Sequence, residues 1–350
     1  MLKLKYSIIF LFGLIILISS CLFDAPQSYN LNVKKIETDF FDYALLLEDG
    51  KLLIWGTNDT GLLADSSTRS SKIPQQVEYL DNITAMNLRE GAALAADEDG
   101  NIWFWGNRLN WNEMSRDSTI LLPKTISHIT GVIEIETYGL ISYLLDRDGN
   151  VWKLLWNHFA PTRYITPVQI NELSNIIHIS GSLALDNNGV LHTIPDFIGI
   201  NRNRGSLGDS TLNKVLYVQN RINMYTIILM EDSTVWAWGH NSAGVLGDGT
   251  TVDHAIPTKI NNLKDIISIS ANSSRCLALD KNGDVWYWGL VELNLDRNIE
   301  EYQTIPKRID NISNVSNIFA SPALNSILVK DNGSLWYYKY EVLEAIEIKH

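Results

Sequence analysis

The sequence predicts an all-β chain folded as one seven-bladed β-propeller, and three observations lead to that fold class. A pattern of an apolar run, a polar turn and an alternating strand with Trp recurs seven times, at intervals of 40 to 50 residues. Each turn has the chemistry of a β-hairpin, and a proline-containing segment follows in most copies. No ten-residue segment beyond the N-terminal apolar run shows helical periodicity. Four-stranded units of this length are typical of propeller blades.

The hairpin turns define the repeat. Asp-Gly and Asn-Gly sequences supply the positive φ that tight hairpin connections need, and a serine replaces the glycine in the fifth copy. The turn positions are Gly50, Gly100, Gly149, Gly189, Ser233, Gly283 and Gly333. We expect the apolar residues before each turn to pair with the alternating residues after it as antiparallel strands.

Two further strands complete each predicted unit. Proline suits an edge strand, where a missing N–H costs least, and it recurs about two dozen residues after most turns. These prolines are Pro74, Pro123, Pro167, Pro257 and Pro306. Short runs such as 176–179 and 266–269 then begin the inner strand of the next unit. The strand-like segment 342–348 is expected to lie beside residues 33–38 and to close the ring.

Most tryptophans are predicted to be structural. Alternate side chains of a strand point to the same face, so the two members of a Trp-x-Trp sequence should pack against one neighbouring blade. The nine that share this phase are Trp55, Trp103, Trp105, Trp152, Trp236, Trp238, Trp286, Trp288 and Trp336. Trp111 and Trp156 break the phase and are the better binding candidates, with local packing as the alternative.

The N-terminus predicts export and lipid anchoring. Two lysines precede an apolar run from Ile8 to Ile18, which is too short to span a bilayer as a helix. Residues 18–21 resemble the lipobox of bacterial lipoproteins, in which the cysteine, here Cys21, is lipidated; an ordinary thiol is the alternative. We therefore expect a signal peptide at 1–20, a lipidated tether at 21–35 and the propeller at 36–350. The expected location is the bacterial cell envelope, facing the periplasm or the exterior.

Charge and cysteine content limit the possible partners. Removal of residues 1–20 leaves 26 basic and 40 acidic residues, a formal charge of −14 that disfavours nucleic acid. Membrane attachment must then come from the lipid alone, because an anionic surface would repel the body. Only Cys276 accompanies Cys21, so no disulfide is expected, and the apolar neighbours of Cys276 predict a buried thiol. We expect a monomer.

The repeats resemble those of the regulator of chromosome condensation family. The fifth unit matches best, with Val235-Trp236-Ala237-Trp238-Gly239, Asn241, Gly244-Val245-Leu246-Gly247-Asp248-Gly249-Thr250 and Pro257. The first unit keeps Trp55-Gly56, Asn58, Gly61 and Leu63, and the fourth keeps the loop 205–211. The resemblance covers the chain from about residue 36 and implies a propeller of seven such repeats.

Departures from the family pattern limit what the resemblance implies. A histidine usual in the family before the second strand is replaced in every unit, for example by Asp42, Ala92, Ile141 and Arg275. Units two, three, six and seven lack the Gly-x-Leu-Gly loop. These losses indicate a divergent bacterial member. We carry over the fold and not guanine-nucleotide exchange, which the export signal also disfavours because small GTPases reside in the cytosol.

No constellation of catalytic residues stands out in the sequence. Histidines are scattered, no Gly-x-Ser-x-Gly elbow occurs, and no cluster has metal-ligand spacing. We therefore expect a non-enzymatic protein without a cofactor or a metal. A catalytic site built from distant loops stays open as an alternative.

Binding is expected in the segments where one unit differs most from the others. These segments are 107–118, 156–164, 196–204 and 291–303. Loops carry function in repeat folds, and aromatic and Arg side chains dominate interfaces. The candidate partner-binding residues are Trp111, Trp156, His158, Arg163, Phe197, Arg202 and Arg204. The leading hypothesis is a scaffold that binds an unknown protein; the alternatives are a glycan-binding or hydrolytic propeller and solvated loop decoration.

Overall fold

The computed structural model describes most of the chain beyond the N-terminal segment. The described residues are 32–39, 42–89, 91–106, 119–138, 141–155, 165–195, 212–221, 224–294, 299–320, 325–339 and 344–347. They form an all-β fold, and none of them belongs to a helix. Within these ranges, accordingly, there is no apolar helix of membrane-spanning length.

The strands form seven sheets that follow one another along the chain. Blade 1 contains β1 (Val33–Asp39), β2 (Asp42–Leu47), β3 (Leu52–Gly56) and β4 (Ser71–Gln76). Blade 2 contains β5 (Ile83–Arg89), β6 (Ala92–Asp97), β7 (Asn101–Gly106) and β8 (Ile120–His128). Blade 3 contains β9 (Val132–Tyr138), β10 (Ile141–Asp146), β11 (Val151–Leu155) and β12 (Val168–Gln169). Blade 4 contains β13 (Ile176–Ser180), β14 (Leu183–Asp186) and β15 (Leu191–Thr193).

The remaining three blades have four strands each. Blade 5 contains β16 (Val215–Arg221), β17 (Tyr225–Met230), β18 (Val235–Gly239) and β19 (His254–Lys259). Blade 6 contains β20 (Ile266–Ala271), β21 (Arg275–Asp280), β22 (Val285–Asn294) and β23 (Ile299–Arg308). Blade 7 contains β24 (Val315–Phe319), β25 (Asn325–Lys330), β26 (Leu335–Lys339) and β27 (Glu344–Glu347). Every sheet is an antiparallel meander in chain order, which confirms the predicted seven-bladed propeller.

The first strand of each blade lies nearest the propeller axis. Neighbouring first strands contact one another from β1 to β5, β5 to β9, β9 to β13, β13 to β16, β16 to β20 and β20 to β24. Proline stands in the fourth strand, at Pro74 of β4, Pro123 of β8, Pro257 of β19 and Pro306 of β23. The sequence therefore assigned both the inner and the outer strands of these blades correctly.

The predicted ring closure was wrong. β27 pairs with β26 inside blade 7, and β1 pairs with β2 inside blade 1, so the chain termini do not share a sheet. Blades 7 and 1 instead join through a common apolar cluster that includes Tyr43, Trp55 and Tyr337. The rings of Tyr43 and Tyr337 meet edge to face, with centroids 6.2 Å apart. Because each terminal blade completes its own sheet, side-chain packing closes the ring.

The meander gives the propeller two chemically different faces. Hairpin turns between second and third strands lie on one face, together with the connections that enter each first strand; we call this the turn face. Connections from third to fourth strands lie on the opposite face, which we call the loop face. Main-chain bonds hold the turn face together, as where Ile83 N donates to Gly50 O at 3.0 Å and Ile176 N donates to Gly149 O at 3.1 Å. The loop face is where the repeats differ most in sequence.

The repeated loop supports a buried tryptophan of the next blade. Trp105 Nε1 of blade 2 donates to Leu62 O of blade 1 at 2.8 Å, and Trp288 Nε1 of blade 6 donates to Val245 O of blade 5 at 2.7 Å. Units one, four and five keep the loop in their sequences, and the units that follow them carry the second Trp of the Trp-x-Trp pair. Where units two, three and six lack the loop, the next units carry Leu154, Ile194 and Tyr338 there. At these six junctions the loop and the next blade's tryptophan occur as a pair. The junction of blades 7 and 1 is the exception, because unit seven lacks the loop and blade 1 still carries Trp55.

The first Trp of each pair is anchored within its own blade. Its indole N–H bonds a side chain at the turn, as in Trp103 to Asp97 and Trp152 to Asp146, both at 2.8 Å. In blade 4 a histidine replaces it, and His192 Nε2 lies 2.9 Å from Asp186 Oδ2. None of the nine tryptophans assigned to packing is an exposed side chain, which confirms their structural role.

The glycine after the second Trp is required by close packing. Gly239 has a φ of 113°, and an added Cβ would lie 2.5 Å from Met224 O and 2.6 Å from Tyr225 Cα. We expect Gly239→Ala to lower the free energy of unfolding by about 3 kcal/mol, from steric overlap and backbone strain together. Denaturant unfolding of the full chain measures this loss. Gly131→Ala is the control for steric overlap. Its φ of 73° also strains an alanine, but its added Cβ would meet only the Arg147 side chain, at 3.8 Å or more.

Candidate functional site

The residues predicted to bind a partner lie outside the described part of the structure. They are Trp111, Trp156, His158, Arg163, Phe197, Arg202 and Arg204, and the same holds for the lipidation candidate Cys21. The strands that flank three of the four variable segments are described. β7 and β11 end, and β8 and β12 begin, on the loop face, and the hairpin of β22 and β23 extends there. The assignments of these residues to partner binding and of Cys21 to lipidation therefore remain predictions.

Polar side chains line the propeller axis at regular positions. In most blades the second residue of the first strand forms a bulge. The side chains of the third and fifth residues then lie on the same side of the strand. The third-position residues are Lys35, Ala85, Glu134, His178, Tyr217, Ser268 and Asn317. The fifth-position residues are Glu37, Asn87, Glu136, Ser180, Gln219, Ser270 and Phe319. Charged groups concentrate in blades 1, 3, 4 and 5.

A buried ion pair links blades 3, 4 and 5. His178 Nδ1 lies 2.9 Å from Glu134 Oε1, and His178 Nε2 lies 2.8 Å from Val218 O. A carbonyl and an ionised carboxylate can only accept, so both ring nitrogens donate and His178 is an imidazolium. The second Glu134 oxygen accepts the Ile179 amide at 2.9 Å, and the His178 ring stacks on Tyr217 with centroids 4.4 Å apart.

The pKa shifts of this pair agree with its geometry. Burial disfavours the charged form of His178, but the Glu134 carboxylate and the bonds to Glu134 and Val218 O outweigh it, so the pKa of His178 is raised. Burial also opposes ionisation of Glu134, yet the imidazolium and the bonds from His178 and Ile179 hold its pKa below the usual range. Both shifts favour the charged forms, as the hydrogen-bond geometry of the pair requires.

A second set of charges lies beside this pair. Lys35 Nζ is 2.7 Å from Glu37 Oε1 and donates to Met86 O of blade 2 at 3.2 Å. Burial lowers the pKa of Lys35, but Glu37 and Glu136 outweigh that effect and the pKa is raised. Burial raises the pKa of Glu136, although the charge of Lys35 partly opposes it. Together with His178 and Arg221, these groups surround Glu136 with charges of both signs.

Hydrogen bonds at the inner strands connect each blade to the next from blade 1 to blade 7. These bonds, in order, are Lys35 Nζ to Met86 O, Thr84 Oγ1 to Val132 O, Ile179 N to Glu134 Oε2, His178 Nε2 to Val218 O, Arg221 Nε to Ala271 O and Ala320 N to Ser270 Oγ. The polar lining of the axis is therefore used mainly to fix the blades. A partner needs a different surface.

An apolar arc on the turn face provides such a surface. Ile177, Leu216 and Ile267 occupy the bulge position of β13, β16 and β20, on three consecutive blades. Their side chains are 49%, 52% and 56% exposed. The neighbouring first strands contact each other, so the three side chains lie along one arc around the mouth of the axis. Exposed turn residues of blade 5, Glu231 and Asp232, lie on the same face.

Sequence reasoning missed both the arc and the axial charges. The paired aliphatic residues that begin β13 and β20 were interpreted as inner strand, but the bulge that turns the second one outward leaves no mark in composition. Alternation of polar and apolar residues in the first strands was the available signal for the axial lining. Among the described residues, no group of His, Cys, Asp or Glu could hold a metal ion. The buried thiol was predicted correctly: Cys276 is fully buried, burial raises its pKa to about 12, and its Sγ lies 3.2 Å from Tyr225 Oη.

Comparisons with known proteins agree with the fold. Residues 232–279 match the model of the regulator of chromosome condensation (RCC1) repeat. The chain is 21% identical over 257 residues to the mitochondrial RCC1 domain-containing protein RUG3 of Arabidopsis thaliana, covering 70% of this chain and 51% of that protein. It is 24% identical over 326 residues to the human E3 ubiquitin-protein ligase HERC2, covering 82% of this chain and 7% of that protein. The chain thus spans about half of one relative and a small part of the other.

A solved structure shows the same architecture. Yeast RCC1 (Prp20), solved bound to Kap60, superposes with a TM-score of 0.50 at 14% identity, covering 91% of this chain and 75% of that one. The fold, with its polar axis and its two distinct faces, defines the chain as a closed seven-bladed propeller. Residues 232–279 carry a repeat of the regulator of chromosome condensation type, and the chain as a whole is similar to proteins that contain such repeats.

Proposed function

We propose that this propeller binds a protein partner through the apolar arc of the turn face, as a lipid-anchored protein of the bacterial cell envelope. The observation that carries the proposal is the exposure of Ile177, Leu216 and Ile267 at the same position of three consecutive blades. Singly exposed aliphatic residues are common on proteins, whereas exposure repeated at one position of neighbouring blades favours an interaction site. Relatives with this fold include a chain solved in complex with another protein, which supports a binding role.

The chemistry of the arc indicates the kind of partner. An apolar centre with a polar rim is the usual anatomy of a protein interface. Exposed residues of the turn face around the arc carry both signs: Glu231 and Asp232 are acidic, and Lys214, Lys264 and Lys281 are basic. A complementary partner would place apolar side chains on the arc and charged residues of both signs around it. Binding of this kind requires no catalysis at the axis.

Anchoring is the second part of the proposal. The lysines, apolar run and lipobox-like residues that precede Cys21 support export and acylation at this residue. A single attached chain gives weak membrane binding, so two or more acyl chains are needed for a stable anchor. We expect Cys21→Ala to abolish metabolic labelling with palmitate and to move the protein out of the membrane fraction. Labelling that persists in this variant would contradict the assignment of Cys21.

The binding test uses the full chain in the native membrane. We expect a photo-cross-linking residue at Leu216 to yield a defined adduct, identified by mass spectrometry, which disappears when Ile177 and Ile267 are changed to serine. The same residue placed at the exposed Ile256 of β19, outside the arc, is the positional control. Loss of the adduct in a Trp156→Ala, Arg202→Ala, Arg204→Ala variant instead would place binding on the variable segments. An adduct formed equally from both positions would contradict a specific arc.

A further inference from the structure

The repeated loop of blade 5 brings together three side chains that neither the axis nor the arc uses. This loop, residues 240–253, joins β18 to β19 on the loop face. Ser242 Oγ lies 2.7 Å from His240 Nε2, and His240 Nδ1 lies 3.0 Å from Asp253 Oδ1. The Asn241 amide donates to the same carboxylate at 2.8 Å, which fixes its position. A serine, a histidine and an aspartate are therefore connected in one line of hydrogen bonds.

The order of these bonds sets the chemistry of the histidine. The Asp253 carboxylate accepts, so His240 Nδ1 carries the proton and Nε2 of the neutral ring is free to accept the Ser242 hydroxyl. This tautomer lets the ring act as a general base towards serine, while the carboxylate orients the ring and stabilises it when it becomes charged. The serine hydroxyl thus faces the accepting ring nitrogen, and the carboxylate faces the protonated one, as general-base chemistry requires.

Blade 1 shows that the loop folds without this constellation. Its equivalent loop, residues 57–70, uses the same asparagine frame: Asn58 Oδ1 accepts the Leu63 amide at 2.9 Å, as Asn241 Oδ1 accepts the Leu246 amide at 2.9 Å. In blade 1 the three positions are held by Thr57, Asp59 and Ser70. A carboxylate supports the loop in both blades, since Asp42 accepts the Asn58 amide at 2.9 Å and Thr57 Oγ1 at 3.2 Å. The loop frame therefore accounts for the carboxylate, but it does not account for the histidine and the serine beside it in blade 5.

Main-chain donors for an oxyanion lie next to the serine. Gly244 N donates to Asn241 O at 2.8 Å, which closes a turn with Ser242 and Ala243 at its centre. In the described part of the chain, the amides of these two residues donate to no protein acceptor. They are available to the oxygen of a bound carbonyl, and amides of this kind stabilise the tetrahedral intermediate of acyl transfer.

We propose that Ser242, His240 and Asp253 form a hydrolytic site for short-chain carboxylic esters. Ser242 Oγ attacks the ester carbonyl carbon while its proton passes to His240 Nε2. The bond to the alcohol oxygen then breaks, and His240 returns the proton to the leaving alkoxide. Water, deprotonated by His240, attacks the acyl-serine, and the carboxylic acid and Ser242 are released. The site is open to solvent on the loop face, and the exposed aliphatic side chains of Val252 and Ile256 stand in the same segment as Asp253. An acyl chain can lie against them.

The test uses the full chain purified in detergent, with p-nitrophenyl acetate as substrate and a fluorophosphonate as covalent probe. We expect ester hydrolysis above the background rate and phosphonylation that maps to Ser242. Ser242→Ala should lose both, and His240→Gln should lower the rate of labelling at least ~100-fold, the usual contribution of a positioned base. Asp253→Asn should lower it less and leave labelling detectable.

Two controls separate this activity from folding and from the binding role. Ser67→Ala alters a half-buried serine in the equivalent loop of blade 1, which has no histidine, and should leave both readouts unchanged. The variant with Ile177 and Ile267 changed to serine should also keep the activity, because the arc lies on the opposite face. Ser242 and Asp253 are exposed and His240 is half-buried, so the loop variants should keep the fold, which thermal unfolding beside the wild type measures. Absence of probe at Ser242, or labelling at the same rate in His240→Gln, would overturn the proposal.

Discussion

Trp288→Ala is expected to lower the free energy of unfolding by about 4 kcal/mol, the loss typical of truncating a fully buried tryptophan. Trp288 is fully buried between blades 5 and 6, and its indole N–H donates to Val245 O at 2.7 Å. Truncation leaves a cavity between two blades and removes the strong donor to that carbonyl. Because the loop of blade 5 supports this indole, the damage should extend across the junction between the blades.

Trp286→Ala is the matched control, two residues earlier on the same strand. Trp286 is half-buried, and its Nε1 reaches Asp280 Oδ2 within the same blade at a longer distance of 3.3 Å. We expect this variant to cost roughly 1–2 kcal/mol, since less area is lost and no junction opens. Denaturant unfolding followed by tryptophan fluorescence and circular dichroism measures both. Equal losses would show that the second Trp does not support the junction.

His178→Ala is expected to lower the free energy of unfolding by about 3 kcal/mol. The substitution leaves the Glu134 carboxylate without its imidazolium and removes the hydrogen bond to Val218 O. This one substitution removes a contact from the junction of blades 3 and 4 and another from the junction of blades 4 and 5. The control is His192→Ala, whose ring is 39% exposed and bonds Asp186 inside blade 4 only. We expect His192→Ala to lower the free energy of unfolding by less than about 1 kcal/mol, as for exposed ion pairs.

The same pair predicts a pH dependence of stability. The raised pKa of His178 makes its contribution fully present below the unfolded value of 6.5, and the contribution is lost as the pH rises through the folded pKa. The lowered pKa of Glu134 makes its contribution present above its unfolded value of 4.5, and lost as the pH falls through the folded pKa. Thermal unfolding across this range should show the largest difference between wild type and Glu134→Gln from pH 4.5 to 6.5. A difference that does not decline above that range would contradict the ion pair.

The sequence alone determined the repeat, the hairpin turns and the order of strands within each blade. These features depend on local chemistry: positive φ at Gly149, missing amide protons at Pro257 and alternation around Trp236 each act within a few residues. The same logic predicted that the Trp-x-Trp side chains pack between blades. The bond from Trp288 to Val245 O, which only the structure shows, relates the repeated loop to the buried tryptophan of the next unit.

The tertiary structure decided everything that depends on distance between blades. The ring closes through packing of Tyr43 and Tyr337 because each terminal blade already has its own four strands, and no local pattern records that choice. His178 and Glu134 are 44 residues apart and meet only because their strands line one axis. Asp253 reaches His240 only through the curve of a loop. Sequence periodicity specifies what a blade is, whereas the contacts that carry stability and function arise where blades and loops converge.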